Sequence, residues 1–393
     1  MSRAGSQQRT LLELLARVRP HWRRDPGLPS RIDALLGGDR RLGSRDRRLY
    51  RELIYTAVRY LPWIEPLLDA DPPAAAKRAA WLAADSPEAA AFRAEIAGDL
   101  PACPADAGEK ARILGADAEA LSPEWLRGEC PAALRPPLRE ALLSRAPLWL
   151  RLQTPDPGKV FAEFDALGWT WRRSALLPGA VELAPGTDVV RTRAYASGAV
   201  EIQDIGSQLI LEAVGVAPGG HWLDACAGSG GKTLQLAALL GPGGRVAAHD
   251  ARRSALQELR QRAERAGIAG RIQVGLPDDP QGGFDGVLVD APCTGSGTWR
   301  RAPHLRWTTS TGDVRKAAAL QLRLLRENAP RVRRGGLLVY ATCSLCGSEN
   351  ESVAAAFLGE DSGFKAELAG TSLLPQAHNG DGFFVASYRR RPD

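Results

Sequence analysis

The sequence lacks the features of a secreted or membrane-spanning protein. No apolar run approaches the roughly 18 residues that a transmembrane helix needs, and the stretch MSRAGSQQRTLLELL has no apolar signal-peptide core. Cysteine is scarce, and the six cysteines are spaced neither as a disulfide framework nor as a four-thiol zinc site. These absences predict a cytoplasmic protein with reduced thiols, no membrane association and no bound metal.

Lysine is also scarce, so arginine carries almost all of the positive charge. The formal net charge is +6 at pH 7, from 51 basic and 45 acidic residues. Arginine suits bidentate phosphate contacts and stacking on bases. The first sixty residues are strongly basic, whereas residues 62–130 are acidic, which favours a surface directed at a polyanion. An ordinary solvated helical bundle remains the alternative interpretation.

Three regions with different hydrophobic patterns follow one another along the chain. Residues 1–118 are predicted to be helical throughout. Residues 119–205 mix short strands and helices, which predicts a small α+β subdomain. Residues 206–393 alternate strands with helices, the pattern of a parallel sheet with helices on both faces. The predicted fold class is therefore α/β, with two smaller regions before the main sheet.

A glycine-rich loop connects the first strand of the third region to the following helix. Glycine allows a backbone to approach a ligand closely, and the helix N-terminus supplies N–H donors. A phosphate-binding P-loop would need glycine at position 226, where this chain has Cys226. A dinucleotide and S-adenosylmethionine both remain possible ligands. The third interpretation is that the loop is a tight turn that binds no ligand. The loop and the acid that ends the next strand comprise Cys226, Ala227, Gly228, Ser229, Gly230, Gly231, Lys232 and Asp250.

Two cysteines each follow a buried strand of the predicted sheet. Cys293 stands three residues after Asp290 in LVDAPCTG, and Cys343 stands in LLVYATCS. Open α/β sheets bind ligands at the carboxyl ends of their strands, so both thiols are expected near a ligand. A thiolate that adds to C6 of a pyrimidine makes C5 nucleophilic towards an electrophilic methyl group. The pair fits this chemistry, although a single free cysteine is more often a small buried hydrophobe.

Three segments together resemble the RNA cytosine-C5 methyltransferases, and within that family the B-type enzymes that act on bacterial ribosomal RNA. They are DACAGSGGKT, FDGVLVDAPCTGSGTWRRAPHLRW and GGLLVYATCSLCGSENE, within a resemblance that spans roughly residues 122–390. The earlier segment DRRLYRELIYTAVRYLPWIEPLL resembles a NusB-like RNA-binding domain. The resemblance implies a Rossmann-like S-adenosylmethionine methyltransferase domain, preceded by an RRM-like α+β subdomain and an all-α NusB-like domain.

The resemblance also implies roles for individual residues. Cys343 would be the nucleophile, Cys293 would assist release of the methylated product, and Asp290 would contact the cytosine. In DNA cytosine methyltransferases the Pro-Cys thiol is the nucleophile, so this assignment rests on the family resemblance. Lys232 would line the pocket for cofactor and target base. The implied cofactor site comprises Cys226, Ala227, Gly228, Ser229, Gly230, Gly231, Lys232, Asp250, Asp278 and Asp290.

The chain departs from the family pattern in three places. The proline of Ala-Ala-Pro-Gly-Gly-Lys is lost, because Ser229 and Gly230 precede the Gly-Lys pair. Leu276 stands where the family often has an aspartate for the adenine, and Asp278 is the expected substitute. The family's Arg-Arg-His-Pro-Asp becomes RRAPH at residues 300–304. Cofactor binding is expected to survive these changes.

Arg300, Arg301 and Arg306 directly follow the Pro-Cys loop and are expected to bind RNA phosphates. Trp299 and Trp307 would stack on bases, unless they are core residues. The expected activity is S-adenosylmethionine-dependent methylation of cytosine C5 in RNA through a covalent cysteine–C6 adduct. Ribosomal RNA is the expected substrate and tRNA the alternative. The rival function is that of a catalytically weak RNA-binding factor in ribosome assembly. The protein is expected to act as a monomer.

Overall fold

The structure is a computed structural model that describes residues 2–275 and 283–392. The chain divides into two compact units, each built from two segments. The first unit comprises Met1–Arg145 and Trp299–Ser310, and the second comprises Ala146–Thr298 and Thr311–Asp393. None of the helices within the described ranges is long and apolar enough to cross a membrane.

The first unit extends beyond the boundary at residue 118 that the sequence predicted. Leu121 and Leu143 are buried in the same hydrophobic core as Leu11 and Leu53 of the preceding helices. Because these later side chains fill one continuous core, residues 119–145 belong to the helical unit. The α+β subdomain therefore begins at Ala146.

The first unit has helices and no strand among its described residues. Leucines recur on one face of its long helices, and this apolar stripe forms the core. The unit's α-helices are α1 (Arg3–Val18), α2 (Leu28–Gly38), α3 (Ser44–Arg59), α4 (Leu61–Ile64), α5 (Leu67–Ala70), α6 (Pro72–Leu82), α7 (Ala90–Ala97), α8 (Ala107–Leu114), α9 (Leu126–Glu129), α10 (Leu138–Leu143) and α16 (Leu305–Thr308).

The segment Trp299–Ser310 completes the core of this helical unit. Trp299 is 1% exposed and packs edge-on against Trp125, with ring centroids 6.1 Å apart. The Trp307 indole N–H donates to the carbonyl oxygen of Val58 at 2.7 Å. Of the two interpretations of these tryptophans, packing in a core is the one that the structure supports.

The second unit begins with a small antiparallel sheet whose strand order is β2-β3-β1-β4. Leu150, Phe164 and Val181 lie in the core that the sheet shares with its helices. This subdomain has the α+β composition that the sequence predicted. Its elements are β1 (Leu148–Leu152), α11 (Gly158–Ala166), β2 (Trp171–Arg173), β3 (Ala180–Leu183), α12 (Arg193–Ala196) and β4 (Val200–Ile202).

A seven-stranded sheet in the order β10-β11-β9-β8-β5-β6-β7 forms the rest of the second unit. The five strands from β9 to β7 are parallel, and β11 is antiparallel to both its neighbours. This sheet confirms the predicted Rossmann-like α/β fold. Its strands are β5 (His221–Asp224), β6 (Arg245–Ala248), β7 (Ile272–Val274), β8 (Phe284–Asp290), β9 (Val332–Thr342), β10 (Phe364–Leu373) and β11 (Phe383–Arg390).

Helices connect the strands of this sheet and cover its hydrophobic residues. The side chains of Leu223, Val287 and Tyr340 are buried in one cluster, and those of Leu236 and Leu288 in another. The helices are α13 (Ile205–Val214), α14 (Gly231–Leu240), α15 (Arg253–Arg265), α17 (Thr311–Asn328), α18 (Glu351–Glu360) and α19 (Pro375–His378).

Candidate active site

The glycine-rich loop, Asp290 and the two predicted thiols lie where the strand order of the large sheet reverses. The strand β5 lies between β6, which follows it in sequence, and β8. At such a switch point the connections leave a crevice outside the carboxyl ends of the strands. The loop of residues 226–230 follows β5, Asp290 ends β8, and Cys343 directly follows β9.

The two predicted thiols lie in contact. The Sγ atoms of Cys293 and Cys343 are 3.3 Å apart. The strand register explains this contact, since Asp290 lies opposite Ala341 in the parallel pair of β8 and β9. The cysteines follow three and two residues beyond that pair, so both loops deliver their sulfur atoms to one place.

The two sulfur atoms have different surroundings. The hydrogen bond with Cys343, together with burial, raises the pKa of the Cys293 thiol well above its usual value. The Cys293 thiol therefore keeps its proton, and either sulfur atom of the pair could be the donor in this contact. The third thiol at this end of the sheet, Cys226, also has a raised pKa because of burial. Since the thiolate is the reactive form, Cys226 is a poor nucleophile.

Asp290 and Lys232 form an ion pair at the mouth of the crevice. The Lys232 Nζ donates to Asp290 Oδ2 at 2.8 Å, with the lysine side chain 8% and the aspartate 28% exposed. The ammonium group also lies 5.0 Å from the ring centroid of Phe383. The first turn of α14 thus fixes the orientation of the carboxylate that ends β8.

The glycine-rich loop has a backbone shape that depends on glycine. Gly228 and Gly230 have φ values of 54° and 92°, in the left-handed region that L side chains rarely adopt. A Cβ atom at Gly230 would lie 2.7 Å from Cγ of Leu259. The loop therefore approaches α15 closely at Gly230.

Polar groups hold this loop in place. The N–H of Gly228 donates to Asp250 Oδ2 at 2.8 Å, and Arg262 donates to the Ser229 carbonyl and hydroxyl at 2.8 and 2.7 Å. Burial raises the pKa of Asp250, but the hydrogen bonds from Arg252 and the Gly228 N–H outweigh it, so the net pKa is lowered. An ionised carboxylate at the end of β6 accepts hydrogen bonds only, as ribose hydroxyls would require.

A buried acid, Asp224, lies at the start of the loop, and its sequence position alone predicted no role for it. It is 0% exposed and its Oδ2 accepts a hydrogen bond from the Thr233 hydroxyl at 2.7 Å. Burial raises its pKa to about 7. The bond ties the end of β5 to the first turn of α14 and so fixes both ends of the loop. The predicted cofactor contact of Asp278 lies outside the described residues.

Sequence reasoning also missed Glu349, a carboxylate that is 0% exposed beneath the two thiols. It accepts hydrogen bonds from Thr294 and Ser344, which directly follow Cys293 and Cys343. The only signal in the sequence is an acid six residues after Cys343. Spacing alone does not reveal that the chain folds back there onto both thiol loops.

The structure corrects the predicted RNA contacts of Arg300 and Arg306, because both side chains are only 4% exposed in the core of the helical unit. Arg300 donates to the carbonyl oxygen of Arg145 at 3.0 Å. Arg306 donates to the carbonyls of Leu121 and Leu142 at 3.2 and 3.3 Å, and burial lowers its pKa to about 9. A phosphate cannot reach these two guanidinium groups. Arg301, in contrast, is exposed.

Replacing Arg306 with alanine should destabilise the helical unit by about 3 kcal/mol, because the change leaves a cavity and two buried carbonyls without donors. Faster hydrogen exchange in peptides from residues 1–145 of the full chain would measure this effect. Arg301→Ala is the matched control, with unchanged exchange and weaker RNA binding. Unchanged exchange in Arg306→Ala together with weaker RNA binding would contradict the structural role.

Comparison with known proteins matches the chain to ribosomal RNA methyltransferases. The family model for "16S rRNA methyltransferase RsmB/F" matches residues 212–389. Ribosomal RNA small subunit methyltransferase B of Enterobacter sp. (strain 638) is 33% identical over 296 residues, 70% of this chain and 68% of that protein. The probable ribosomal RNA small subunit methyltransferase B of Bacillus subtilis (strain 168) is 32% identical over 259 residues. That alignment covers 60% of this chain and 58% of the Bacillus protein, somewhat over half its length.

A solved structure has the same fold. NSun6 from Pyrococcus horikoshii, crystallised with SFG, superimposes with a TM-score of 0.61 at 18% sequence identity. The match covers 69% of this chain and 97% of that one. At this level of identity the likeness concerns the fold alone, and it agrees with the seven-stranded sheet described above.

Proposed function

This chain belongs to the 16S rRNA methyltransferase RsmB/F family, and on that premise we propose that it methylates C5 of a cytosine in ribosomal RNA. The observation that carries the proposal is the 3.3 Å contact between the thiols of Cys293 and Cys343. The ion pair of Asp290 and Lys232 borders the same crevice. A thiol nucleophile, a second thiol and a carboxylate in one crevice suit the covalent methylation of a pyrimidine.

Cys343 acts as the nucleophile. Its thiolate forms a bond to C6 of the cytosine, and the electron pair of the C5–C6 double bond moves to C5. That pair on C5 then forms a bond to the methyl group, whose bond to the donor's sulfur would break and leave its electron pair on that sulfur. A base removes the C5 proton, the C5–C6 double bond forms again, and Cys343 leaves as a thiolate. The pair of the former double bond ends in the new C5–methyl bond, and the pair of the C5–H bond restores the double bond. Cys343 recovers its own electron pair, so the nucleophile is regenerated.

Cys293 and Asp290 assist the two halves of this cycle. The S–H of Cys293 donates to the sulfur of Cys343, which stabilises negative charge on that sulfur when it attacks and when it leaves. The raised pKa of Cys293 keeps this donor protonated. Asp290, oriented by Lys232, contacts the cytosine, and the paired Lys232 ammonium offsets the negative charge that develops near N3 during attack.

S-adenosylmethionine is the methyl donor, and when bound it supplies an electrophilic methyl group. The loop of residues 226–232 would hold it, with the ionised carboxylate of Asp250 on the ribose hydroxyls. The left-handed Gly228 gives the backbone the space for this approach. The donor set therefore fits this cofactor.

Replacing Asp250 with alanine should weaken S-adenosylmethionine binding about 10- to 100-fold, because a charged acceptor of hydrogen bonds is lost. Isothermal titration calorimetry of the full chain would measure the Kd. Asp188→Ala is the matched control, since Asp188 is a largely exposed acid in the α+β subdomain. An unchanged Kd in Asp250→Ala would remove the proposed ribose contact.

The helical unit is proposed to be a NusB-like domain that binds the RNA substrate. Arg45 and Arg48 on α3 are exposed, as is Arg301, and we propose that these three residues contact RNA phosphates. We propose further that the protein acts in the cytoplasm as a monomer, which light scattering of the purified chain would test.

Bisulfite sequencing of total RNA, from cells with and without the gene, tests the substrate. Loss of a 5-methylcytosine in small-subunit ribosomal RNA is the expected result. Loss of the modification from tRNA instead would favour the alternative substrate. An unchanged pattern in both RNAs would contradict RNA cytosine methylation by this protein.

A further inference from the structure

The buried carboxylate of Glu349 accepts hydrogen bonds from both thiol loops. Its Oε2 accepts the backbone N–H of Thr294 at 2.9 Å, and its Oε1 accepts the hydroxyl of Ser344 at 2.8 Å. The Thr294 hydroxyl also donates to Oε1. A fourth donor is the side-chain amide of Gln321 on α17, 2.9 Å from Oε2. The four donors fill the acceptor sites of an ionised carboxylate.

The positions of these donors in the sequence link the carboxylate to the reaction. Thr294 directly follows Cys293, and Ser344 directly follows Cys343. Gln321 also donates to the carbonyl of Pro292 at 3.0 Å, so Cys293 is held on both sides. One carboxylate and its amide partner thus fix the backbone around both sulfur atoms.

We propose that Glu349 is the positioning residue that holds the thiols of Cys293 and Cys343 at reaction distance. The inference rests on the proposed function, since it assigns a role towards the nucleophile and its assisting thiol. The register of β8 and β9 brings the two loops together, and the hydrogen bonds to Glu349 hold each loop beside its cysteine, where the two sulfur atoms lie 3.3 Å apart. A displacement of about 1 Å at a reacting group can slow a reaction about 10²-fold.

The negative charge of Glu349 also supports the proposed role of Cys293 as a protonated thiol. After the hydrogen bond with Cys343 and burial, this negative charge is a further cause that raises the pKa of Cys293. Glu349 therefore helps to keep Cys293 protonated, as a donor to the neighbouring sulfur. Tyr340 completes the arrangement, because its hydroxyl lies 3.0 Å from Gln321 Oε1 and also contacts the backbone carbonyl of Glu349.

Replacing Glu349 with glutamine tests the proposal, with Glu351→Gln as the matched control. Glutamine has nearly the same shape, but it replaces one acceptor oxygen by an NH2 group and removes the charge. Glu351 is an exposed acid two residues further along. In Glu349→Gln, kcat for RNA methylation should fall about 10²-fold, with KM and S-adenosylmethionine affinity almost unchanged. The control should keep the wild-type kcat.

A second measurement reports the position of the sulfur atoms without any methylation. Diamide, an azo oxidant, takes up the two thiol hydrogens and becomes a hydrazine while Cys293 and Cys343 form a disulfide. The rate of this reaction, followed by mass spectrometry, depends on the approach of the two sulfurs. It should be on the order of tenfold slower in Glu349→Gln than in wild type or in Glu351→Gln.

The outcomes separate this inference from the proposed function. If wild type methylates RNA and Glu349→Gln matches it in kcat and diamide rate, Glu349 does not position the thiols. If wild type itself transfers no methyl group to RNA, the proposed function fails, while the diamide rate still decides the positioning role. Should Glu349→Gln not fold, Thr294→Val and Ser344→Ala remove the donors singly. Each should lower kcat and the diamide rate, and wild-type values in both would overturn the proposal.

Discussion

Replacing Cys343 with alanine should lower methyl transfer to RNA at least about 10³-fold, because no other group then activates C5 of the cytosine. RNA and S-adenosylmethionine should still bind, since the change removes one small, partly buried sulfur atom. Transfer of a radiolabelled methyl group to small-subunit ribosomal RNA measures the activity. Fluorescence anisotropy with labelled RNA measures binding on the same preparation.

Cys103→Ala is the control, since Cys103 lies in the helical unit and packs against its core. It should methylate RNA at the wild-type rate. Continued methylation by Cys343→Ala would show that another thiol is the nucleophile. Cys293 would be the first candidate, because its Sγ atom lies 3.3 Å from that of Cys343. A wild-type protein that binds RNA without methylating it would instead favour the assembly-factor function.

Replacing Cys293 with alanine should trap a covalent complex between protein and RNA. The variant can still form the bond from Cys343 to C6, but it lacks the thiol that stabilises Cys343 as it leaves. Turnover should fall about 10²-fold or more, while a large fraction of the enzyme becomes attached to RNA. The complex would be visible as a band of reduced mobility on a denaturing gel.

The double variant Cys293→Ala/Cys343→Ala is the control for this trapping experiment. It should give no slow band, because the sulfur that bonds to C6 is absent. Release of methylated RNA by Cys293→Ala at the wild-type rate would remove the proposed role of Cys293. A slow band in the double variant would show that the covalent bond comes from a different residue.

The order of strands and helices in the large sheet could be predicted because it depends on local patterns. Apolar runs followed by turns gave β5, β6, β8 and β9, and these strands are present. The strand β10 was not predicted. Most of its residues are exposed, and its pairing with β11 is what makes it a strand. An exposed edge strand has little hydrophobic pattern, so its sequence carries a weak signal.

The burial of the two arginines that follow the Pro-Cys loop could not be predicted from the sequence. Arg300 and Arg306 follow a loop of the sheet and were expected on the RNA-facing surface. Their neighbours in space are carbonyl groups of the helical unit, which lie more than 150 residues away along the chain. Sequence shows the charge of a side chain, whereas burial depends on which distant segment packs over it.

The sequence by itself determined the Rossmann-like sheet, the glycine-rich loop and the family. It also determined that one acid and two thiols lie at the ends of strands. Each of these features can be recognised from contiguous residues, because strands, loops and helices depend on the local pattern of hydrophobic residues and on glycine. Only the tertiary structure decided that Lys232 pairs with Asp290 and that Glu349 holds both thiol loops. Those contacts join residues from separate elements, and their geometry exists only when the strands have packed side by side.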